Sequence, residues 1–273
     1  MTSLDNILSI LSRMHVMDLE HPRQMQDPVF PGHWPGYVYT LYRRHEPGLE
    51  RRTSASGMII TPEHAGTHMD ALCHQAEEMQ MFGGIDVSTT VQTPAGFTRL
   101  GIETISPVFR RGVLLDVSSA VGGRLEPQSL VSRAMLQNAM ERQHITSREG
   151  DVVLIRTGYG AVWADADLYL KAPGIAGEAS EWLASLHPFA VGCDNMAWDL
   201  PDHVDPGTGS TLPGHSILLV RHGIYIVENL FLEDLACQPT SEFLFVVVPL
   251  KFQGGTGSPV RPLALVALSD ERK

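Results

Sequence analysis

Short apolar runs rich in β-branched residues constrain the fold of this 273-residue chain more than any other feature. The runs at 110–117 and 150–158 are bounded by glycine or charged residues, which is typical of buried strands. Between them, the segment 126–143 has apolar residues at helical spacing and is opened by Pro127. Strands and helices that interleave in this way predict an α/β or α+β fold around a mixed β-sheet with flanking helices, and we take mixed α/β as the expected class.

Further segments continue the same alternation along the chain. We predict helices at 1–14, 180–187 and 215–223, and strands at 58–60, 188–195, 224–230, 242–252 and 262–268. No repeat, low-complexity tract or long linker divides the sequence, so we expect a single domain over 1–273. A domain of this size buries about three quarters of the surface that its unfolded chain exposes, so it can be stable without disulfide bonds.

Composition excludes several classes of function. The formal net charge is -11 and basic patches are lacking, so we expect no nucleic-acid partner. No apolar run approaches the roughly 20 residues of a membrane span, and the amino terminus lacks the basic region of a signal peptide. Cys73, Cys193 and Cys237 form no CxxC pair, which argues against a disulfide framework. We therefore expect a soluble, cytoplasmic globular protein.

The stretch EHAGTHMDALCHQ, residues 63–75, concentrates ionisable groups. His64, His68, Asp70 and His74 occur there within eleven positions of one another. Gly66 makes a helix unlikely to form, so a strand running into a tight loop is the better interpretation. Because strand residues two apart point to the same side, His68 and Asp70 should converge. His64 would join them if the strand continued, or through a bend at Gly66.

Imidazole nitrogens combined with a carboxylate oxygen suit zinc, manganese or iron, and the lack of thiolates favours a catalytic site over a structural one. A single histidine is more often hydrogen-bonded in the interior or placed in a surface loop. Three of them with an aspartate, after a strand and around a glycine, favour a metal site. Cys73 is a candidate fourth ligand, although a small buried thiol is the better interpretation.

The same stretch resembles the signature H-x-G-T-H-x-D-x-P-x-H of the cyclase family of metal hydrolases. It matches every position but one, since Leu72 stands where the family has proline. The resemblance extends to 16–22, 150–158 and 254–265. It implies the swivelling β/β/α architecture and a homodimer or homotetramer. A proline contributes no ligand, so the change to leucine bears on the turn that aims His74, and thus on the substrate pocket.

The resemblance also implies a complete site with five metal ligands and one proton-transfer histidine. The implied ligands of one or two ions, Zn or Mn, are His64, His68, Asp70, His215 and Glu228, and the implied catalytic acid/base is His74. Without the resemblance, Glu228 still stands out as the charge inside an apolar strand, where a carboxylate is seldom buried without a partner. The alternatives are a water-facing Glu228 and a His215 that is a polar residue at a helix start.

The implied reaction is hydrolysis of a C–N amide bond by metal-activated water. The implied substrate is an aryl formamide, such as N-formylkynurenine, or a cyclic amide, such as isatin. Alternatives are another ring, such as a lactone or cyclic imide, a non-catalytic metal-binding or ligand-binding module, and a structural protein with a histidine-rich loop. The presence of all six matched residues favours an enzyme, because a decayed site should lack one.

Other candidate segments receive simpler interpretations. The acidic stretch 193–206 favours a solvated turn over the alternative of a second metal site, and Asp194 at a strand end is the residue most expected to face the cleft. GGTGS at 254–258 lacks the GK[ST] ending of a phosphate loop and predicts a backbone turn near the site. FPGHWPGY at 30–37 predicts either an aromatic lid that includes Trp34 or a packed proline-rich loop.

Overall fold

A nine-stranded mixed β-sheet forms the centre of the structure, a computed structural model that describes residues 2–48 and 51–267. The strands are β1 (Met14–Asp18), β2 (Val38–Arg43), β3 (Ser56–Ile60), β4 (His68–Asp70), β5 (Gln80–Met81), β6 (Ile85–Asp86), β7 (Gln92–Thr93), β8 (Gly96–Phe97), β9 (Val108–Asp116), β10 (Leu130–Val131), β11 (Val152–Arg156), β12 (Gly174–Ile175), β13 (Ala190–Cys193), β14 (Tyr225–Glu228), β15 (Glu242–Val247), β16 (Gly257–Pro259) and β17 (Leu263–Ala267). The order in the large sheet is β1-β17-β15-β9-β11-β13-β14-β4-β16. Its centre, β9-β11-β13-β14, is parallel, and the strands on both sides are antiparallel.

Within the described residues, seven short helices accompany the strands. They are α1 (Ser3–Leu11), α2 (Val117–Val121), α3 (Arg133–Arg142), α4 (Ala166–Tyr169), α5 (Gly177–Ala184), α6 (Pro213–His215), which continues as a π-helical segment over Ser216–His222, and α7 (Glu233–Ala236). Single 3-10 turns occupy Pro31–His33, Ile102–Thr104 and Gly160–Val162. The predicted mixed α/β fold is confirmed.

Both faces of the central strands are buried. On β9 and β11, Leu114 and Leu154 belong to one apolar cluster, whereas Val113 and Val153 belong to the cluster on the opposite face. Alternate residues of a strand point to opposite faces, so a strand covered on both sides reads as a continuous apolar run. This explains why the runs were recognisable in the sequence.

The predicted strands are all present, but the helix boundaries differ: the helix predicted at 180–187 spans Gly177–Ala184, and the one predicted at 215–223 is α6 with its π-helical continuation. The predictions at 58–60, 110–117, 150–158, 188–195, 224–230, 242–252 and 262–268 correspond to β3, β9, β11, β13, β14, β15 and β17, with residue 268 outside the described residues. The helix predicted over 126–143 begins only at Arg133, because Ser132 accepts the Met135 N–H and caps it. The preceding Leu130–Val131 pairs with β12 instead.

The amino-terminal helix is also shorter than the predicted 1–14. Thr2 and Asp5 form a capping box that begins α1, and Met14 already belongs to β1, paired with Ala267. None of the described residues 3–11 is buried, so an apolar stripe that includes Leu4, Ile7, Leu8 and Leu11 faces outward. Among the described residues, no helix combines the length and the hydropathy of a membrane span.

Candidate metal centre

The centre forms where β4 pairs with β14 at one side of the sheet. The two strands are antiparallel and place His68 opposite Glu228. His68 and Asp70 lie two positions apart on β4, so their side chains share one face. The Nε2 atom of His68 is 3.4 Å from Glu228 Oε2 and 3.5 Å from Asp70 Oδ1. Three groups from the predicted ligand set therefore meet across one strand pair.

His215 enters the same space from the start of the π-helical segment. Its Nε2 atom is 3.4 Å from Glu228 Oε1 and 3.7 Å from Asp70 Oδ2. Its Nδ1 atom is 2.7 Å from Asp199 Oδ2, and Asp199 also accepts the backbone N–H groups of Gly214 and His215. Because Asp199 holds the proton on Nδ1, Nε2 is the nitrogen that would bind a metal ion once it has released its own proton, as in many metal-bound histidines. Asp199, which we placed in a solvated turn, is in fact buried and was missed as a site residue.

His64 reaches the centre through a bend, as one of the two sequence alternatives predicted. Gly66 has φ +64, and Arg23 donates to the carbonyl oxygens of Ala65 and Thr67 on either side of it. The bend turns His64 back over the strand, so that its Nδ1 atom lies 2.8 Å from Asp70 Oδ1.

His74 lies beside this group, on a turn directly after β4. Its backbone N–H donates to the Ala71 carbonyl at 3.0 Å, so the turn closes although Leu72 replaces the family's proline. The Leu72 side chain is buried in the core and anchors the turn. The ring of His74 stacks on that of His64 with centroids 4.0 Å apart.

The donor geometry fits a divalent metal ion. The contacts among His68, Asp70, His215 and Glu228 span 3.4 to 3.7 Å. Ligands about 2.0–2.2 Å from a tetrahedral ion are separated by about 3.3–3.6 Å. In addition, Asp70 Oδ2 is buried and has no hydrogen-bond partner among the described residues. A buried polar atom of this kind is rare, and a metal ion would satisfy it.

Two ligand triads within the described residues share Asp70, and His215 belongs to neither of them. One consists of His64, Asp70 and His74 and the other of His68, Asp70 and Glu228, and within each triad the ligand atoms lie within 4.8 Å of one another. His74 is therefore close enough to act either as a ligand or as a proton carrier.

The electrostatics of the cluster favour ionised carboxylates. Burial raises the pKa of Glu228, but hydrogen bonds from His215 and His68 outweigh burial and lower that pKa to about 2. Burial also opposes ionisation of Asp70, and the nearby His74 and His64 nevertheless lower its pKa below the ordinary value. Both side chains are anionic at neutral pH, which is the form that binds a cation.

The pKa values of His215 and His74 shift in opposite directions. Burial lowers the pKa of His215, but hydrogen bonds to Asp199 and Glu228 raise it well above the ordinary value. For His74, burial dominates and lowers the pKa to about 3. His74 is therefore neutral at physiological pH, the form in which one ring nitrogen keeps a lone pair.

A cavity of about 180 Å³ opens onto the cluster. Apart from the histidines and Glu228 of the cluster, its wall is formed by Phe30, His33, Gln75, Met196, Ala197 and Leu212. His33 stacks on His64 with centroids 5.1 Å apart. Trp34 is 76% exposed and does not line the cavity, so the lid prediction is wrong for Trp34, whereas Phe30 and His33 of the same segment do reach the site.

Two other candidates lie outside the centre. Asp194 does not face the cleft: it is buried and accepts the backbone N–H groups of Thr157, Gly158 and Tyr159, which fixes the loop after β11. Cys73 is a buried thiol whose pKa burial raises to about 12, as expected for a non-ligand.

Comparison with known proteins identifies relatives over most of the chain. The Cyclase family model matches residues 17–200. Kynurenine formamidase of Polaromonas naphthalenivorans (strain CJ2) is 27% identical over 250 residues, which cover 92% of this chain and 90% of that protein. Isatin hydrolase of Roseibium aggregatum is 27% identical over 215 residues, which cover 76% of this chain and 73% of that protein.

Solved structures share the fold. A crystal structure described as a novel cyclase is 28% identical, with a TM-score of 0.82 over 97% of this chain and 93% of that one. Isatin hydrolase A from Ralstonia solanacearum is 24% identical, with a TM-score of 0.76 over 97% of this chain and 98% of that one.

Relatives that span most of the sequence are hydrolases, and the buried cluster offers the ligands of a divalent ion, so the chain is a hydrolase with a site fitted to such an ion. It belongs to the cyclase family, because the family model matches more than half of its residues.

Proposed function

We propose that this enzyme hydrolyses a C–N amide bond in a small molecule, either an aryl formamide of the N-formylkynurenine type or a cyclic amide of the isatin type. The observation that carries the proposal is the buried oxygen Asp70 Oδ2, without a partner among the described residues and 3.7 Å from His215 Nε2. The names of the two curated relatives supply the substrate classes.

We assign the roles of the site residues as follows. The metal ligands are His64, His68, Asp70, His215 and Glu228, and His74 is the catalytic acid/base. The triad of His68, Asp70 and Glu228 would hold one ion, and His64 and Asp70 would contribute to a second if one binds; the nitrogen and oxygen donors suit zinc or manganese. We also propose that residues 1–273 form one hydrolase domain.

The surrounding residues support this chemistry. A divalent ion supplies Lewis acidity that brings the pKa of water from about 15.7 towards 7. Neutral His74 stands next to the ligand group, where it can take a proton from water and return it to the leaving nitrogen. Phe30, Met196 and Leu212 give the cavity apolar walls that suit an aromatic ring, and Gln75 offers an amide for its polar substituent.

The test is a substrate panel on metal-depleted protein reloaded with zinc or manganese. The panel contains N-formylkynurenine, isatin, an aryl lactone and a cyclic imide. We expect metal-dependent turnover of one of the first two. Turnover confined to the lactone or the imide would assign the chain to the alternative ring-opening reaction. Bound metal without any turnover would identify a non-catalytic binding module.

We also propose that the enzyme is a homodimer or homotetramer assembled through its amino-terminal region. The apolar stripe of α1 and the exposed Met58, Ile59 and Ile60 of β3 would be covered by a second copy. Light scattering should give a multiple of the 29.9 kDa chain mass. Ile7→Glu should lower that mass, whereas Val204→Glu, also exposed, should leave it unchanged. A monomeric wild type would contradict the proposal.

The compartment we propose is the cytoplasm. Cys73 and Cys193 are buried free thiols and Cys237 is an exposed one, which suits a reducing environment. Cell fractionation with an activity assay tests this placement.

A further inference from the structure

The glycine-rich segment GGTGS packs directly on a metal-centre histidine. Thr256 Oγ1 lies 2.8 Å from His64 Nε2, on the side of the ring opposite Nδ1. Glu63, the residue before His64, accepts the Thr256 hydroxyl at 2.5 Å and the Thr256 backbone N–H at 2.9 Å. The result is a continuous chain of contacts from a carboxylate, through a hydroxyl, to the imidazole.

The glycines of this segment allow the close approach. Gly254 has φ +70, and a Cβ there would lie 2.5 Å from the carbonyl oxygen of Phe97. A Cβ on Gly257 would lie 2.7 Å from His64 Cε1. The conformation of the loop therefore brings Thr256 against His64. A hydrogen bond of 3.0 Å from the Gly254 backbone N–H to Glu103 Oε2 stabilises this conformation.

The direction of these hydrogen bonds fixes the tautomer of His64. A carboxylate can only accept, so the single hydroxyl proton of Thr256 points to Glu63. The Thr256 oxygen then presents a lone pair to His64, and Nε2 must carry the proton that it accepts. Nδ1 faces Asp70 Oδ1 at 2.8 Å, and because both atoms are acceptors in the neutral ring, this contact requires a proton or a cation at Nδ1. With Nε2 protonated, Nδ1 is the nitrogen whose lone pair is available to a metal ion.

We propose that Glu63 and Thr256 are positioning residues that hold His64 in its Nε2–H tautomer, with Nδ1 directed at the metal. The inference rests on the proposed metal centre and adds to it the residues that prepare one ligand before the ion arrives. Outer partners of this kind orient the ring and commonly contribute about 10- to 100-fold to metal affinity.

The first test measures zinc affinity by competition with a chromophoric chelator. Thr256→Val keeps the shape of the side chain and removes the hydroxyl, and we expect zinc to bind about 10- to 100-fold more weakly. Thr256→Ser restores the hydroxyl and should restore the affinity. Glu103→Gln is the matched control, since Glu103 holds the same loop through Gly254 without contact to a histidine, and it should keep wild-type affinity.

The second readout is the ring nitrogen spectrum of ¹⁵N-histidine-labelled, zinc-loaded protein. Wild type should show His64 in the Nε2–H tautomer alone. Thr256→Val should show a mixture of tautomers at His64. If Thr256→Val does not fold, Glu63→Ala tests the same role. It frees the Thr256 hydroxyl to rotate and should also weaken zinc binding. Wild-type affinity and an unchanged His64 spectrum in the folded variants would overturn the positioning role alone. Failure of wild type to bind zinc would overturn the metal centre itself.

Discussion

Asp70→Ala is expected to empty the metal centre. Asp70 is the residue on which the histidines converge, with contacts of 2.8 Å to His64, 3.5 Å to His68 and 3.7 Å to His215. Both ligand triads include it, so no complete triad survives its removal. The metal content found by elemental analysis should fall from roughly one or two ions per chain in wild type to none, because each triad among the described residues would lose a ligand.

The matched control is Asp86→Ala, which removes an exposed carboxylate whose one hydrogen bond within the described residues comes from Gln80 Nε2 at 3.2 Å. It should keep the full metal content. Retention of metal by Asp70→Ala, after dialysis that strips loosely held ions, would mean that the histidine stretch is not the binding site.

His74→Ala is expected to abolish turnover while the metal remains. The contacts of 3.4 to 3.7 Å that fit an ion join His68, Asp70, His215 and Glu228 and do not include His74. Loss of a general acid–base group lowers the rate about 10²- to 10⁴-fold. Turnover and metal content should be measured on the same preparation.

The control for His74→Ala is His33→Ala, which removes another histidine ring from the same cavity wall and is expected to act mainly on KM. If His74→Ala loses its metal together with its activity, His74 is a ligand of the triad with His64 and Asp70. If it stays fully active, the proton-transfer role is wrong.

The parts of the site that local sequence could predict are those whose geometry is local. His68 and Asp70 share a face because they lie two apart in a strand. Glu228 was conspicuous as a charge within an apolar strand, and it is indeed buried. The central strands were equally readable, because the sheet is covered on both faces and its strands are uniformly apolar.

The supporting residues could not be predicted, because their partners are distant in sequence. Asp199 acts on His215 and Thr256 acts on His64, and neither contact leaves a periodic or spacing signal. Asp194 shows the converse error. A carboxylate at a strand end suggested a role in the cleft, but the unpaired N–H groups of the loop after β11 hold it elsewhere.

The proposed metal centre also links the amount of enzyme in the cell to the supply of metal ions. Its ligands come from β4 with the bend before it, from the π-helical segment and from β14, and only the folded chain brings them together. An ion bound only by the folded chain stabilises it by about 2.7 kcal/mol at a free concentration 100 times its Kd. Chains made in a metal-poor cell would therefore unfold more often and be degraded faster. In this way, proteolysis would remove enzyme that has no ion with which to work.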